Sequence, residues 1–181
     1  MEFVALYERF YDEVLRYARR RVAEDAARDI VADTFLVAWR RPDAVPENAL
    51  PWLLGVARNL VANESRRRMR ADRLTRRIVA EPRVAQVDLT GQPGESPVTR
   101  ALASLPAGDR EVIALVAWEE LGVAAAATVV GCTPGAFAVR LHRARRRLVR
   151  AVEQQSGGGG SGPERMPSPR VASSAGGEAD R

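Results

Sequence analysis

Lysine is absent: all 28 basic residues of the 181-residue chain are arginine. An arginine-only chain is consistent with a GC-rich genome, and no function attaches to it. A single cysteine, Cys132, excludes an internal disulfide framework and a four-cysteine zinc site. A single histidine, His142, argues against a histidine-based metal centre or a Ser-His-Asp triad, although carboxylate chemistry would survive its scarcity. No apolar run approaches the length of a membrane span, and Met1 leads straight into Glu2 and an amphipathic segment rather than a signal peptide. The expectation is a cytoplasmic chain without membrane insertion. At 46% hydrophobic and 28% charged residues, the composition is that of a globular protein. The length suits one domain or two small ones.

What is present is charge in unusual places. The net charge of +5 looks mild until it is located. Residues 66–77 (RRRMRADRLTRR) carry +6 and residues 140–150 (RLHRARRRLVR) carry another +6, which leaves −7 for everything else. One arginine run reads as a solvated helix face. Two, each ending a predicted helix, favour a polyanion as partner.

The apolar periodicity is helical throughout, so the fold expected is all-α. Phe3, Tyr7, Phe10, Val14 and Tyr17 recur at three- and four-residue steps over 2–22. Ala27, Val31, Thr34/Phe35 and Ala38 do the same over 25–41, up to Pro42. The stretch PDAVPENALP is a constrained loop, and Pro51 suits the first position of the next helix, which runs into the first arginine patch. Prolines and glycines between 75 and 97 predict a flexible linker with a short helical start. Four further helices follow: 98–104, one from near Pro106, VAAAATVV closed by Gly131, and one opened by Thr133-Pro134 and running to about 152. The tail from Ser156, starting SGGGGSG, reads as disordered, either a natural extension or a cloning remnant. The domains expected are thus 1–74, a linker 75–97, a second domain 98–155 and a tail 156–181.

The last two helices form a helix-turn-helix pattern. Phe137, Leu141, Ala144 and Leu148 make the inner face of the last one. Ala136, Ala138, Val139, Arg140, His142 and Arg143 then face outward on the half that would enter a major groove, with Arg145, Arg146, Arg147 and Arg150 behind them. Arginine can bind a guanine edge bidentately, alanine and valine can touch only thymine methyls, and the rear arginines suit phosphates. Cys132 reads as a small packed residue and His142 as a surface or phosphate contact.

In the first half, Arg58, Asn59, Asn63, Arg66 and Arg67 fall on one helical stripe beside the proline-rich loop, a setting fit to hold an unstacked base. Trp39 and Trp52 read as core. Asp29 and Asp33, one turn apart, read as an acidic stripe for docking a basic partner rather than an acid–base pair, since no third polar group joins them.

These segments together resemble the extracytoplasmic-function (ECF) sigma factors of bacterial RNA polymerase, in the sigma-70 family. DIVADTFLVAW (29–39) and PWLLGVARNLVANESRRR (51–68) resemble the family's region 2; ALASLPAGDREVIAL (101–115) and GCTPGAFAVRLHRARRRL (131–148) resemble its region 4. The resemblance implies a promoter-specificity factor that is not itself an enzyme and needs no cofactor. Its implied partners are core RNA polymerase, promoter DNA and an anti-sigma factor. Asp29, Asp33 and Phe35 are then candidates for the polymerase clamp. Asp43 and Asn48, in the loop 43–49, would capture a flipped base of the −10 element, and Arg58, Asn59, Asn63, Arg66 and Arg67 would contact −10 DNA. The helix 134–150 would read the −35 element, and the linker would run near the RNA exit path.

The chain departs from the family's usual residues at several positions. Arg28 and Ala32 stand where an acid and a glutamine are common, which weakens the clamp contact. Ala125 and Ala126 replace an acid and an isoleucine, and Ala138 and Val139 replace lysine and serine, so fewer polar side chains read the −35 element. Two other functions compete: a stand-alone regulator using only the helix-turn-helix, and an enzyme acting on nucleic acid. The pattern across 27–68 argues against the first, and the lack of a metal or nucleophile constellation against the second.

Overall fold

The computed structural model of the chain describes residues 2–75 and 96–157. Nearly all of the expected linker and tail therefore lies outside the described residues. Seven α-helices and one 3-10 turn, with no strand, make up the regular structure of the described part.

Helix α1 (Phe3–Arg19) buries Phe10, Val14 and Tyr17 of the face read from the sequence, but Leu6 rather than Tyr7 fills its first turns: Tyr7 is exposed and Phe3 only half-buried, because the start of the helix is covered on one side alone. Helix α2 (Glu24–Arg40) opens with Glu24 and Asp25 in its first turn, where the helix dipole favours acids. It stops before Pro42, which starts the 3-10 turn Pro42–Ala44. Helix α3 (Ala49–Thr75) starts two residues earlier than Pro51, so Pro51 sits inside the first turn rather than at its first position. The shift costs nothing, because backbone N–H groups throughout that turn lack an intrahelical acceptor.

Helices α4 (Pro97–Ser104) and α5 (Ala107–Ala117) meet at a tight corner held by Arg110. This buried guanidinium donates from Nη1 to the carbonyl oxygens of Ala103 and Leu105 at 2.7 and 2.6 Å. Helix α6 (Val123–Val130) ends where Gly131 takes φ +74°, a left-handed conformation that favours glycine. Helix α7 (Pro134–Gly157) then leaves at 97° to α6. Its first turn is capped by Thr133, whose Oγ1 accepts a hydrogen bond from the Ala136 N–H at 3.2 Å. Thr133→Ala should lower stability by about 1 kcal/mol, measured by urea denaturation; an unchanged midpoint would show that the cap contributes nothing.

The halves do not have separate cores. One apolar cluster runs from Phe10, Val14 and Phe35 through Leu53, Leu54 and Ala57 of α3 into Leu115, Ala126, Val129 and Phe137. A satellite of Leu102, Leu105, Ile113 and Ala144 sits under α4 and α7. The reason is α3: its apolar residues face both α1–α2 and α6, so one helix serves two layers.

Tyr17 is fully buried within the shared cluster, and loss of water pushes its phenol up to about 12. Its raised value means that the folded chain holds the proton more tightly than the unfolded one. That stability is fully present below about pH 10 and disappears as the pH rises through about 12. Fluorescence-monitored unfolding should show a loss of about 2–3 kcal/mol over that window, which Tyr17→Phe removes.

Candidate polymerase and nucleic-acid interfaces

Two exposed faces carry the residues singled out from the sequence. On α7, the buried side is Phe137, Leu141 and Ala144, as the spacing required. The opposite side exposes Ala136, Ala138, Val139, Arg140, His142, Arg143, Arg145, Arg146 and Arg147. The first turn projects from the end of α6 with its cap satisfied, a geometry that lets the N-terminal half of α7 enter a groove while α6 braces it. Arg147 is already engaged: it pairs with Asp109 in the first turn of α5. No ion pair among the described residues involves Arg140, Arg143, Arg145 or Arg146.

In the N-terminal half, α2 and α3 flank an open groove of about 530 Å³. Asp29 and Asp33 line one wall, and Asn63, Arg67 and Arg70 the other. The acidic and basic stripes read separately from the sequence are therefore two sides of one surface. Asn59, Asn63, Arg66 and Arg67 are exposed. Arg66 donates to Asn63 Oδ1 at 2.5 Å, which orients both along the stripe. Asp43 and Asn48 are exposed at either end of the short loop between α2 and α3.

Three assignments need correction. Phe35 is only 2% exposed, with its ring 4.8 Å from that of Tyr7, so it is core and unavailable to a partner. The exposed apolar residues on that flank are Leu36 and Trp39. Trp39, read as core, is 62% exposed: it sits edge-on to Phe3 at the end of α2, past the last layer that could cover it. Arg58 does not project with its stripe. It bends back and makes a two-pronged ion pair with Glu111 of α5, at 2.7 and 3.0 Å, and this pairing holds the guanidinium above its usual value.

Among the described residues no group of histidine, cysteine and carboxylate side chains could hold a metal ion. No single described helix is long and apolar enough to cross a membrane.

The model of sigma-70 region 2 matches residues 6–71, and that of sigma-70 region 4 matches residues 96–148. The chain belongs to the sigma-70 family. The ECF RNA polymerase sigma factor SigL of Mycobacterium tuberculosis is 32% identical over 160 residues, covering 80% of this chain and 85% of the relative. EcfG of Rhodopseudomonas palustris, also an ECF sigma factor, is 32% identical over 126 residues, 68% of this chain and 70% of that one. Among solved structures, the sigma factor RpoE of Bartonella quintana, in complex with the anti-sigma factor NepR, superposes with a TM-score of 0.61 at 26% identity. That match covers 83% of this chain and 96% of the other. CnrH, in complex with the cytosolic domain of CnrY, gives 0.56 at 28% identity, over 84% and 88%.

This sigma factor therefore binds core RNA polymerase and directs it to promoters. Sequence reasoning missed the residues that join its halves: Arg20, Arg21, Gly55, Glu111 and Glu119. Glu111 lies 53 residues from its partner Arg58, and Glu119 lies 98 and 99 residues from Arg21 and Arg20. No local pattern could have paired them.

Proposed function

We propose that the two exposed faces divide promoter recognition between them, α7 reading the −35 element in the major groove and the α2–α3 side handling the −10 element. The observation that carries this reading is the placement of α7: a capped helix, seated by Phe137, with arginines, His142 and small side chains on its outer face. Arg140 and Arg143 read base edges, Val139 and Ala136 touch thymine methyls, and Arg145 and Arg146 hold phosphates. Asn59, Asn63, Arg66 and Arg67 follow the −10 strand, while the loop bearing Asp43 and Asn48 receives a base once it leaves the stack. Base capture offsets the cost of unstacking, so binding energy drives duplex opening. The sigma factor is not an enzyme; the polymerase performs the chemistry. Asp29 and Asp33, with Leu36 on the same side of α2, dock on core polymerase.

The solved relatives in complex with NepR and with the cytosolic domain of CnrY support an anti-sigma factor as a further partner, acting in the cytoplasm where transcription occurs. Potassium permanganate footprinting with core enzyme tests the division of labour. On a cognate promoter, thymines near −10 become reactive with the wild-type chain and stay unreactive with Arg66→Ala/Arg67→Ala. Equal reactivity with both would overturn the assignment of α3.

A further inference from the structure

Among the arginines on the outside of α7, one is held differently from the rest. Ala136, Arg140, Arg143 and Arg147 follow one another at steps of four, three and four, so they form a single exposed stripe. The proposed reading gives base edges to Arg140 and Arg143 and phosphates to Arg145 and Arg146. It leaves Arg147, at the end of the stripe, without a role. Arg147 is paired instead with Asp109 of α5.

The packing explains why these two meet. Ile113 of α5 and Ala144 of α7 are buried in one small apolar cluster, with Leu148 packed against it. Asp109 lies one turn before Ile113 and Arg147 one turn beyond Ala144, so the charged pair closes the rim of that contact. Its two ends are unequal: the Asp109 side chain is 16% exposed and that of Arg147 is 55% exposed. The acid is therefore seated on the body of the fold, in the first turn of a helix whose dipole favours its charge. The neighbouring charges of α5 are committed elsewhere, Arg110 to the carbonyl oxygens of Ala103 and Leu105 and Glu111 to Arg58. Asp109 is the carboxylate that α5 turns toward α7. A phosphate approaching Arg147 must displace it.

We propose that Asp109 is a positioning residue that withholds Arg147 from the duplex backbone and so sets how tightly this sigma factor holds DNA of any sequence. Phosphate contacts carry the sequence-independent share of affinity and most of its salt dependence. Withholding one of them lowers binding to all DNA alike, and the base contacts of Arg140 and Arg143 become a larger share of what remains. This inference rests on the assignment of α7 to the −35 duplex.

The test uses holoenzyme assembled from core RNA polymerase and the full chain, titrated onto labelled promoter duplex in the cold, where the strands stay paired. One duplex carries the cognate −35 sequence and the other a scrambled one, each over a series of salt concentrations. Asp109→Asn should bind both duplexes about fivefold more tightly at about 0.1 M salt. It should also steepen the slope of log affinity against log salt by about 0.9, the value of one phosphate. Asp109→Ala should do the same, so the result does not hang on the asparagine amide. Arg147→Ala should lower the slope far less than Arg146→Ala does. The pair Asp109→Asn/Arg147→Ala should lose the gain and fall to the level of Arg147→Ala. Circular dichroism checks that each variant is helical.

An unchanged slope for both Asp109 variants would overturn the proposal. So would a gain that survives in the double variant, because Asp109 would then repel the backbone by its own charge rather than act through Arg147. A drop of about 0.9 with Arg147→Ala alone would overturn it too, since Arg147 would already be on a phosphate. If Arg146→Ala also leaves the slope unchanged, the assignment of α7 falls as well. If Arg146→Ala lowers the slope while the Asp109 variants do nothing, only the role of Asp109 falls.

Discussion

Phe137→Ala should destabilise the folded chain by about 3–5 kcal/mol, the largest effect expected of any single substitution here. Phe137 is fully buried where α7 crosses α6, inside the cluster that joins both halves. Its loss leaves a cavity under the part of α7 that, in the proposed reading, must be held rigid to enter a groove. Urea denaturation would show the destabilisation. Promoter binding should fall as well, although Phe137 touches no DNA, because the outer residues Ala136, Val139 and Arg140 are aimed by the residue behind them. A variant that lost stability but kept full −35 discrimination at low temperature would show that helix placement tolerates the void.

The second large effect distinguishes reading from positioning. Arg140→Ala should cost about 1–3 kcal/mol at promoters with the preferred base opposite Arg140 and much less at others, which flattens discrimination. Arg146→Ala should weaken all sequences alike and lower the slope of log affinity against log salt by about 1. The physical basis is position: Arg140 lies on the outer face within two turns of the helix start, whereas Arg146 lies further back, where the proposed fit of the helix in the groove puts it beside the duplex backbone. Titrations over several salt concentrations and −35 variants separate the two. Identical behaviour of both mutants would contradict the assignment. Arg147 is a weaker choice for such a test, because Asp109 already holds it.

Much of this architecture was legible in the sequence because helices advertise themselves locally. The apolar steps of α1 and α2, the proline that ends α2, and the Gly131 and Thr133-Pro134 signals around the turn each rest on residues within one or two turns of each other. So does the outer face of α7, since burying Phe137, Leu141 and Ala144 fixes what is left outside. What failed depends on neighbours distant in sequence. Phe35 and Trp39 share a helical face by spacing, yet one is sealed by Tyr7 and the other extends beyond the last covering layer. Arg58 lies on the polar stripe of α3 by periodicity but is claimed by Glu111 from the other half. The shared core was invisible for the same reason: the linker signals at 75–97 mark where the chain breaks, not whether the pieces dock again.

The most direct measurement of the central claim is run-off transcription with purified core RNA polymerase. The template carries a promoter found by mapping transcript starts after this sigma factor is overproduced. The account predicts a discrete transcript that requires the chain, and that is lost when either the −35 or the −10 sequence is scrambled. A transcript that survives scrambling of both elements, or no association with core enzyme at low salt, would contradict it.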